Sequence, residues 1–466
     1  MVTQDVINLQ LPPAKVFKAY DIRGVVAEDG LNTDNVHHLG LALGAKTQSL
    51  GQKTVVVGRD VRVSGAKLQA ALVDGLLQSG CDVIDIGIVP TPVLYFATYH
   101  FQNAAGVMVT ASHNPPQYNG FKMMLAGRSV TSDEIQLLSR MNEVTLPEVT
   151  GEYRQYDIHE DYYRRILIDV NVHRSLKVVL DCGNGAASEL APTLFKRLGC
   201  EVIPLYCECD GRFPNHMPDP SRPENLNDLR AHVRETKADI GIAFDGDADR
   251  LAVVDSEGQV ISADRVLMAY VSDVLPKINR GTVIVDVKTS RRVAQLVEDL
   301  DGNAIIWKSG HSLMKEKMRE TQAVFAGELS GHVFFNDRWY GFDDGVYAAA
   351  RLLEILANEN QSSSDYFKQF PEGIATPEIL VMVAEGQAAK IVAALQGKAQ
   401  QFSGKPLLLD GLRVDYAEGW GLVRASNTMP CLTLRFEADC TQTLHNIQNE
   451  FKQHLLSVDA ALDLPF

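Results

Sequence analysis

Three groups of short apolar runs follow one another along the first two-thirds of the chain. In each group a β-branched run leads into a polar turn and a stretch of helical spacing, and two further apolar runs follow. The runs lie at 54–57, 80–84 and 106–109, at 177–180, 199–203 and 239–244, and at 282–285, 302–306 and 323–326. Strands that alternate with helices predict parallel sheets with right-handed crossovers, and therefore three similar α/β units.

The pattern changes at about residue 372. A helical stretch at 387–398 precedes apolar runs at 412–416, 421–424 and 431–438. In the last run apolar and polar residues alternate strictly, which is typical of a half-buried antiparallel strand. We therefore predict a smaller α+β domain, with the serine-rich segment 361–364 and the region of Pro371 as the linker into it.

Composition narrows the class of protein. A chain of 466 residues, 45% apolar and 22% charged, is expected to form several globular domains. The net charge of −15 argues against a nucleic-acid partner but leaves room for a small phosphorylated substrate. No apolar run reaches membrane-spanning length, residues 1–13 lack the apolar core of a signal peptide, and the seven cysteines are scattered. We therefore expect a cytoplasmic protein with reduced thiols and no membrane partner.

The third run of each group leads into a different polar loop. These loops cover residues 110–115, 245–250 and 327–332. Open α/β sheets bind ligands at the carboxyl ends of their parallel strands. The three loops are therefore candidates to converge on one cleft.

Asp245, Asp247 and Asp249 occupy alternate positions in the second loop, separated by Gly246 and Ala248. Alternate residues project to the same side of an extended backbone, and three carboxylates suit Mg²⁺. The other interpretation is a solvated acidic turn, which a position directly after an apolar strand disfavours. A calcium-binding loop is excluded because its glycine and terminal glutamate positions hold Arg250 and Ser256.

Ser112 in the first loop is a candidate nucleophile. By itself a serine before Asn-Pro is more often a turn former, and the chain lacks a GxSxG nucleophile elbow. The aspartate loop and Lys122 strengthen the case for phosphoryl chemistry. Two polar loops could hold a substrate: residues 424–428 offer donors for a phosphate, and Glu328 can accept from two neighbouring sugar hydroxyls. An ordinary hairpin loop and a strand-end turn remain the alternatives for these two segments.

In this order the motifs resemble those of the α-D-phosphohexomutase family, above all its bacterial phosphomannomutase/phosphoglucomutase branch. The resemblance runs from Phe17 to about Phe436. It implies an α/β fold in which three similar mixed-sheet α/β domains and a smaller α+β C-terminal domain surround a central cleft. We place these domains at 1–158, 159–259, 260–371 and 372–466. Ala248 departs from a frequent glycine, and the tail loop differs from that of the glucosamine-specific branch.

The resemblance also implies roles for individual residues. Ser112 would carry the phosphoryl group and would bind Mg²⁺ together with Asp245, Asp247 and Asp249. The implied catalytic set is Ser112, Arg23, Lys122 and His332. The implied substrate-binding set is Tyr20, Arg250, Arg265, Lys288, His311, Glu328, Leu329, Ser330, Gly331, His332, Arg424, Ala425, Ser426, Asn427 and Thr428.

The implied reaction interconverts the 1- and 6-phosphates of mannose, and also those of glucose. A phosphoryl group passes from Ser112 to the sugar, and the resulting hexose 1,6-bisphosphate, which is also the activator, turns over and returns its other phosphate. Arg23, Lys122 and His332 are candidates for proton transfer, with no assignment among them. We expect a monomer whose partners are small hexose phosphates. Alternatives are a phosphoglucosamine mutase, a metal-dependent sugar-phosphate phosphatase and a non-catalytic sugar-phosphate-binding protein.

Overall fold

The chain forms two compact units. The structure, a computed structural model, describes residues 6–426 and 429–466. The first unit comprises the chain up to Val266 together with Ser330–Lys368, and the second comprises Leu267–Leu329 together with Gln369–Phe466. The chain therefore passes from one unit to the other at three points, and one of them lies between Leu329 and Ser330, inside the third polar loop.

A seven-stranded mixed sheet organises the beginning of the first unit. Its strands lie in the order β2-β6-β5-β3-β4-β9, with β7 pairing with β6, and β1 and β8 form a separate antiparallel pair. β3, β4, β5 and β9 run parallel, whereas β6 and β2 are antiparallel. The elements are β1 (Val6–Asn8), β2 (Ile22–Val25), α1 (Thr33–Ser49), β3 (Thr54–Arg59), α2 (Gly65–Gln78), β4 (Asp82–Ile88), α3 (Thr91–His100), β5 (Ala105–Val109), β6 (Tyr118–Leu125), β7 (Arg128–Ser129), α4 (Ser132–Leu138), β8 (Glu143–Thr145) and β9 (Tyr153–Gln155).

A second mixed sheet in the same unit has the order β11-β10-β12-β13-β14. Its first three strands are parallel, and β13 and β14 return antiparallel. The elements are α5 (His159–Asp169), β10 (Lys177–Asp181), α6 (Leu190–Arg197), β11 (Glu201–Leu205), α7 (Asn227–Thr236), β12 (Ile240–Phe244), β13 (Leu251–Asp255) and β14 (Val260–Ile261). The helix α8 (Ala263–Val274) begins in this unit, and its residues from Leu267 onwards belong to the second unit. The later segment of this unit adds β18 (Val333–Phe335), α11 (Gly345–Ala357) and α12 (Ser363–Lys368).

The second unit contains a parallel sheet and an antiparallel one. The parallel strands have the order β16-β15-β17, from the elements β15 (Thr282–Asp286), α9 (Arg291–Asp299), β16 (Asn303–Trp307), α10 (His311–Thr321) and β17 (Phe325–Gly327). The antiparallel sheet has the order β19-β24-β23-β22-β21, with β20 also pairing with β24. Its elements are β19 (Ile374–Ala375), β20 (Ile379–Met382), α13 (Gln387–Gln396), β21 (Lys405–Leu407), β22 (Leu412–Tyr416), β23 (Gly419–Ala425), β24 (Cys431–Ala438) and α14 (Thr441–Leu456).

The first, second and third apolar runs of each group form β3, β4 and β5, then β10, β11 and β12, then β15, β16 and β17. In all three groups the first strand lies between the second and the third. β-branched residues build these strands because their stiff side chains pack well on a buried pleated surface. The predicted class, three similar α/β domains and a smaller α+β domain, is confirmed.

The half-buried prediction for β24 is wrong, because all eight of its residues are buried. The polar face is covered by residues that connect β15 to α9. Glu437 accepts from the Ser290 hydroxyl at 2.7 Å, and the Arg435 guanidinium donates to the Lys288 carbonyl. Hydrogen bonds therefore satisfy the polar groups of a face that alternation alone assigns to solvent.

The segment 361–364 is not an open linker. Ser363 and Ser364 are buried in the first turn of α12. The Ser363 hydroxyl donates to the Asp239 carbonyl at 2.5 Å and accepts from the Ser256 backbone at 2.9 Å. Serines satisfy the ends of a short helix as readily as they populate loops, so their frequency alone does not distinguish the two.

Within residues 6–426 and 429–466, none of the helices combines the length and the apolar character needed to cross a membrane.

Candidate active site

Ser112 and the aspartate loop meet in the first unit. Ser112 follows β5 in a left-handed conformation with φ of 51°, and it is 1% exposed. Its hydroxyl donates to Asp245 Oδ2 at 2.8 Å and lies 2.9 Å from His113 Nδ1. The carboxyl ends of β5 and β12 therefore bring together two motifs that are 133 residues apart.

A buried guanidinium holds the loop that carries Ser112. Arg62 donates to the carbonyls of four loop residues, at 2.6–3.0 Å: Ser112, Asn114, Pro115 and Tyr118. Asp60 fixes it from behind, at 3.1 Å from Nε, and also accepts from the Thr110 hydroxyl. Burial raises the pKa of Asp60, and Arg62 opposes that shift. This pair was not among the predicted site residues, although its place directly after β3, at a carboxyl strand end, was a usable signal.

The three aspartates form one buried cluster. Asp245, Asp247 and Asp249 are all 0% exposed, and their carboxylate oxygens lie within 4.8 Å of one another. A Cβ on Gly246 would lie 2.5 Å from the Ser112 carbonyl oxygen, so that position requires glycine. Ala248 adopts a φ of 57°, which accounts for the glycine that is frequent at this position in the family.

This cluster fits a divalent cation. Among the residues that the structure describes, Asp247 Oδ1 is buried without a hydrogen-bond partner, which is costly for a carboxylate oxygen unless a cation binds there. Burial and the charges of Asp249 and Asp247 raise the pKa of Asp245 well above its usual value. A phosphate on Ser112 would add further negative charge beside these groups. The oxygen donors and the excess negative charge both suit Mg²⁺.

Lys122 of β6 and Thr91 of α3 both contact the aspartate cluster. Lys122 Nζ lies 2.6 Å from Asp247 Oδ2 and also contacts Asp249. Burial opposes the charge on Lys122, but Asp247 and Asp249 outweigh it and raise the pKa of Lys122 above its usual value. Thr91, the first residue of α3, donates to Asp247 twice: its hydroxyl to Oδ2 at 2.5 Å and its backbone N–H to the carbonyl at 2.9 Å. Our sequence analysis did not single out Thr91.

Arg23, Arg250 and His332 complete the cluster. Arg23 Nη1 donates to Asn114 Oδ1 at 2.7 Å, beside Ser112. His332 Nε2 lies 3.2 Å from Arg250 Nε and 3.4 Å from Asp249 Oδ1. The structure therefore brings the four predicted catalytic residues and Arg250 around the aspartates within one unit.

The second unit holds a separate group of predicted binding residues. Glu328 is 3% exposed, and its Oε1 accepts from the Gly310 N–H at 2.5 Å. Asp286, at the end of β15, accepts from the Leu329 N–H at 3.2 Å and from the Ser309 hydroxyl at 2.7 Å. Burial raises the pKa of Asp286 against the opposing charge of Lys288. Our sequence analysis missed Asp286, which supports the Glu328 loop from the strand end next to it.

Arg424, at the end of β23, pairs with Asp410 at 3.0 Å. Lys288 Nζ lies 3.2 Å from Glu378 Oε1, and His311 begins α10. Ala425 ends β23, and the Ser426 N–H donates to the Cys431 carbonyl at 3.0 Å. Asn427 and Thr428 lie outside the described residues.

The remaining predicted residues belong to the first unit. Tyr20 precedes β2 and is half-buried, and Arg265 Nε donates to the Phe367 carbonyl at 3.1 Å. The Ser330 hydroxyl lies 2.9 Å from His332 Nδ1, and Gly331 adopts a φ of 92°. Substrate contacts for all these residues stay predictions.

Four family models match consecutive parts of the chain. They describe phosphoglucomutase/phosphomannomutase α/β/α domain I at residues 14–145, domain II at 160–258, domain III at 262–373 and the C-terminal domain at 378–454. Our domain boundaries themselves stay a prediction.

Similar proteins cover almost the whole chain. Phosphomannomutase/phosphoglucomutase of Pseudomonas aeruginosa is 50% identical over 97% of this chain and 98% of its own length. Phosphoglucomutase of Neisseria gonorrhoeae is 45% identical over 94% and 96%. The crystal structure of a phosphoglucomutase/phosphomannomutase family protein from Burkholderia thailandensis matches with a TM-score of 0.91 at 45% identity, covering 98% of this chain and 100% of that one. The chain belongs to the phosphoglucomutase/phosphomannomutase family.

Proposed function

We propose that this protein interconverts the 1- and 6-phosphates of mannose and of glucose through a phosphoserine at Ser112. Its family makes it an isomerase, a mutase that transfers a phosphoryl group. The observation that carries the proposal is the Ser112 hydroxyl, buried 2.8 Å from a carboxylate of the acidic cluster. A serine held there is suited to carry a phosphoryl group beside a divalent cation.

In the proposed reaction the bond from phosphorus to Ser112 Oγ breaks as a bond to a sugar hydroxyl oxygen forms. Asp245, Asp247 and Asp249 would hold Mg²⁺, together with an oxygen on Ser112. When bound, Mg²⁺ supplies positive charge to the transferring phosphoryl group. The hexose 1,6-bisphosphate then turns over and returns its other phosphoryl group to Ser112 Oγ.

Charged residues of the first unit support this transfer. Lys122 is held as a cation by Asp247 and Asp249, so we assign it to charge stabilisation rather than to proton abstraction. Arg23, beside the Ser112 loop, would act in the same way. His332, held between Arg250 and Ser330, is then the candidate among the three that can exchange a proton with the sugar hydroxyl.

Glu328 is the proposed reader of the sugar. A bisphosphate that binds in two orientations exchanges its C3 and C4 hydroxyls, and a carboxylate can accept from both. The Gly310 N–H fixes one oxygen of Glu328. Mannose and glucose differ only at C2, whereas galactose inverts C4 and leaves an acceptor unpaired. We expect kcat/KM for galactose 1-phosphate to be at least about tenfold lower than for the other two.

The specificity experiment compares the three 1-phosphates and glucosamine 1-phosphate in coupled assays. Glu328→Gln should narrow the difference between glucose and galactose, because it weakens acceptance of the C4 hydroxyl. Equal turnover of galactose 1-phosphate by the wild type would contradict the proposed role of Glu328. Faster turnover of glucosamine 1-phosphate would favour a phosphoglucosamine mutase.

The central experiment replaces Ser112 by alanine. Intact-protein mass should show one phosphate on the wild type and none on Ser112→Ala, whose turnover should be abolished while sugar phosphate still binds. Ser49→Ala, on the exposed end of α1, is the matched control and should keep both phosphate and activity. A fully active Ser112→Ala would refute the mechanism, and net release of phosphate in place of isomerisation would indicate a phosphatase.

Four further proposals concern the working form of the enzyme: its metal, its activator, its oligomeric state and its location. EDTA should stop turnover reversibly, and Mg²⁺ should raise the melting temperature of the wild type but not of Asp247→Ala. Glucose 1,6-bisphosphate should stimulate enzyme that lacks phosphate. Light scattering should give the mass of a monomer, and cell fractionation should place the protein in the cytoplasm.

A further inference from the structure

Two thiols lie side by side at one edge of the second sheet of the first unit. Cys182 directly follows β10, and Cys207 follows β11, its parallel neighbour. Their sulfur atoms are 3.3 Å apart. Tyr206 adopts a φ of 52°, and this left-handed residue turns Cys207 back over the strand ends, where its sulfur lies 3.3 Å from the Leu180 carbonyl oxygen.

The two cysteines differ in their access to solvent. Cys182 is buried, whereas Cys207 is half-buried and Cys209, two residues further on, is exposed. Burial raises the pKa of the Cys182 thiol well above its usual value. Of the two thiols in the pair, a small oxidant from solution would therefore reach Cys207 first, with Cys182 already in contact behind it.

We propose that Cys182 and Cys207 form a reversible intramolecular disulfide when the protein meets hydrogen peroxide. The Cys207 sulfur takes one oxygen from peroxide to become a sulfenic acid, and one water is released. The Cys182 sulfur then displaces the hydroxyl group, the sulfur–sulfur bond forms, and a second water leaves. Two thiols lose two electrons and peroxide gains them, and a reduced dithiol reverses the step by thiol–disulfide exchange.

This pair is connected to the metal loop by hydrogen bonds. The Ala186 N–H donates to the Gly246 carbonyl at 2.9 Å, between two of the metal-binding aspartates. On the other side, Asn184 Nδ2 donates to the Glu208 carbonyl at 2.9 Å, and the Asp210 N–H donates to the Asn184 carbonyl at 3.0 Å. Segment 182–186 therefore lies between the Cys207 strand end and the metal loop.

Closing the disulfide would displace this segment. Sulfur atoms now 3.3 Å apart would approach to about 2.05 Å, a change of more than 1 Å. Displacements of that size at a catalytic site cost up to about 10²-fold in rate. We therefore infer that oxidation weakens Mg²⁺ binding and lowers turnover by about tenfold. This consequence rests on the proposed function, whereas the disulfide itself does not.

The experiment treats the full-length protein with a small excess of hydrogen peroxide, quenches it, and maps peptides without reduction. We expect one cross-linked peptide pair containing Cys182 and Cys207, and both of these thiols should be lost together. Cys207→Ser should abolish the cross-link, and Cys209→Ser, the matched control two residues away, should keep it. After peroxide treatment, the turnover and the Mg²⁺ affinity of the wild type and of Cys209→Ser should fall, and a reduced dithiol should restore them. In Cys207→Ser, peroxide should leave both quantities unchanged.

A cross-link between Cys207 and Cys209, sulfinic acid at Cys207 alone, or two unmodified thiols would overturn the proposal. A Cys182–Cys207 cross-link that leaves Mg²⁺ affinity unchanged, measured by calorimetry, would overturn its link to the metal loop. Because peptide mapping needs no activity, failure of the mutase assay would count against the proposed function and not against the disulfide.

Discussion

At the scale of single residues, Arg62 shows how much order one side chain can impose. Its planar fork donates to four carbonyls of the loop that carries Ser112, and Asp60 holds the guanidinium in place. The loop needs this support because Ser112 adopts a left-handed backbone conformation, which residues other than glycine rarely take. Arg62 is therefore a positioning residue for the phosphoryl carrier.

Arg62→Lys should lower kcat by about 10- to 100-fold, because an ammonium lacks the fork and leaves loop carbonyls unsatisfied. The phosphate content of Ser112, read by intact mass, should fall as well, which a general loss of stability would not cause in the protein that stays folded. Arg59→Lys is the control, because it makes the same chemical change at a nearby residue. Within the described residues, the Arg59 guanidinium donates to the Asp60 carbonyl and not to the Ser112 loop. Equal kcat for wild type and Arg62→Lys would refute this role.

Site residues could be predicted from the sequence where the motif that identifies them is a short continuous segment, and not where the evidence for them lies far away in the chain. Ser112 and the three aspartates lie in short motifs directly after apolar runs, so the sequence alone was enough to predict them. Arg62 acts 50 residues away, and Thr91 acts 156 residues away on Asp247. The place of Arg62 shortly after β3 marks it as a candidate, but neither periodicity nor spacing identifies the partners of Arg62 and Thr91, because the tertiary fold brings those partners to them.

At the scale of elements, runs of β-branched residues predicted where the strands lie, but they did not predict which faces of the strands are buried. Alternation predicted one solvent-facing side for β24, yet Ser290 and the backbone of Lys288 cover it. The covering segment follows a strand of a different sheet, so the sequence of β24 contains no sign of it. The prediction of a linker at 361–364 was wrong for a related reason. Two of its serines, Ser363 and Ser364, are buried in the first turn of a helix, where the Ser363 hydroxyl donates to the Asp239 carbonyl.

The start of α3 provides a test at this scale, because Thr91 attaches the helix to Asp247. Thr91→Val is nearly isosteric but loses the hydroxyl, so we expect Mg²⁺ to bind about tenfold more weakly, a loss of about 1.4 kcal/mol. Thr91→Ser keeps the donor and should restore the affinity. Calorimetric titration with Mg²⁺ measures both without reference to turnover. Wild-type affinity in Thr91→Val would show that Asp247 needs no anchor.

At the scale of the whole molecule, the free energy of unfolding should depend on pH through the carboxyl group of Asp344, the residue that caps the start of α11. Asp344 is buried, accepts from the Tyr347 N–H at 2.8 Å and from the Tyr162 hydroxyl at 2.9 Å, and burial raises its pKa to about 7. A folded state that holds a proton more tightly than the unfolded chain is favoured at low pH. The contribution of Asp344 is therefore complete below about pH 4 and is lost as the pH rises towards 7.

Asp344→Asn should remove this term while keeping an acceptor at the helix start. The variant should gain stability relative to wild type between pH 5 and pH 8, by an amount of the order of 2 kcal/mol. Melting temperatures of both proteins at pH 5 and at pH 8 measure the difference. Asp365→Asn, which changes an exposed aspartate of α12 in the same way, is the control. A constant difference between variant and wild type would show that Asp344 is ionised throughout.

The second unit is assembled from two separate stretches of chain, and this has a consequence for its synthesis. Residues 267–329 complete their parallel strands, yet Val287 packs on Trp420 and Leu422, and Arg413 donates to the carbonyls of Val287 and Thr289. A ribosome delivers residues 369–466 last, roughly 5–20 s after it passes Lys368. Until then the nascent chain displays an apolar surface with no cover, which makes this interval the window in which a chaperone would bind and in which a stalled or truncated product would aggregate.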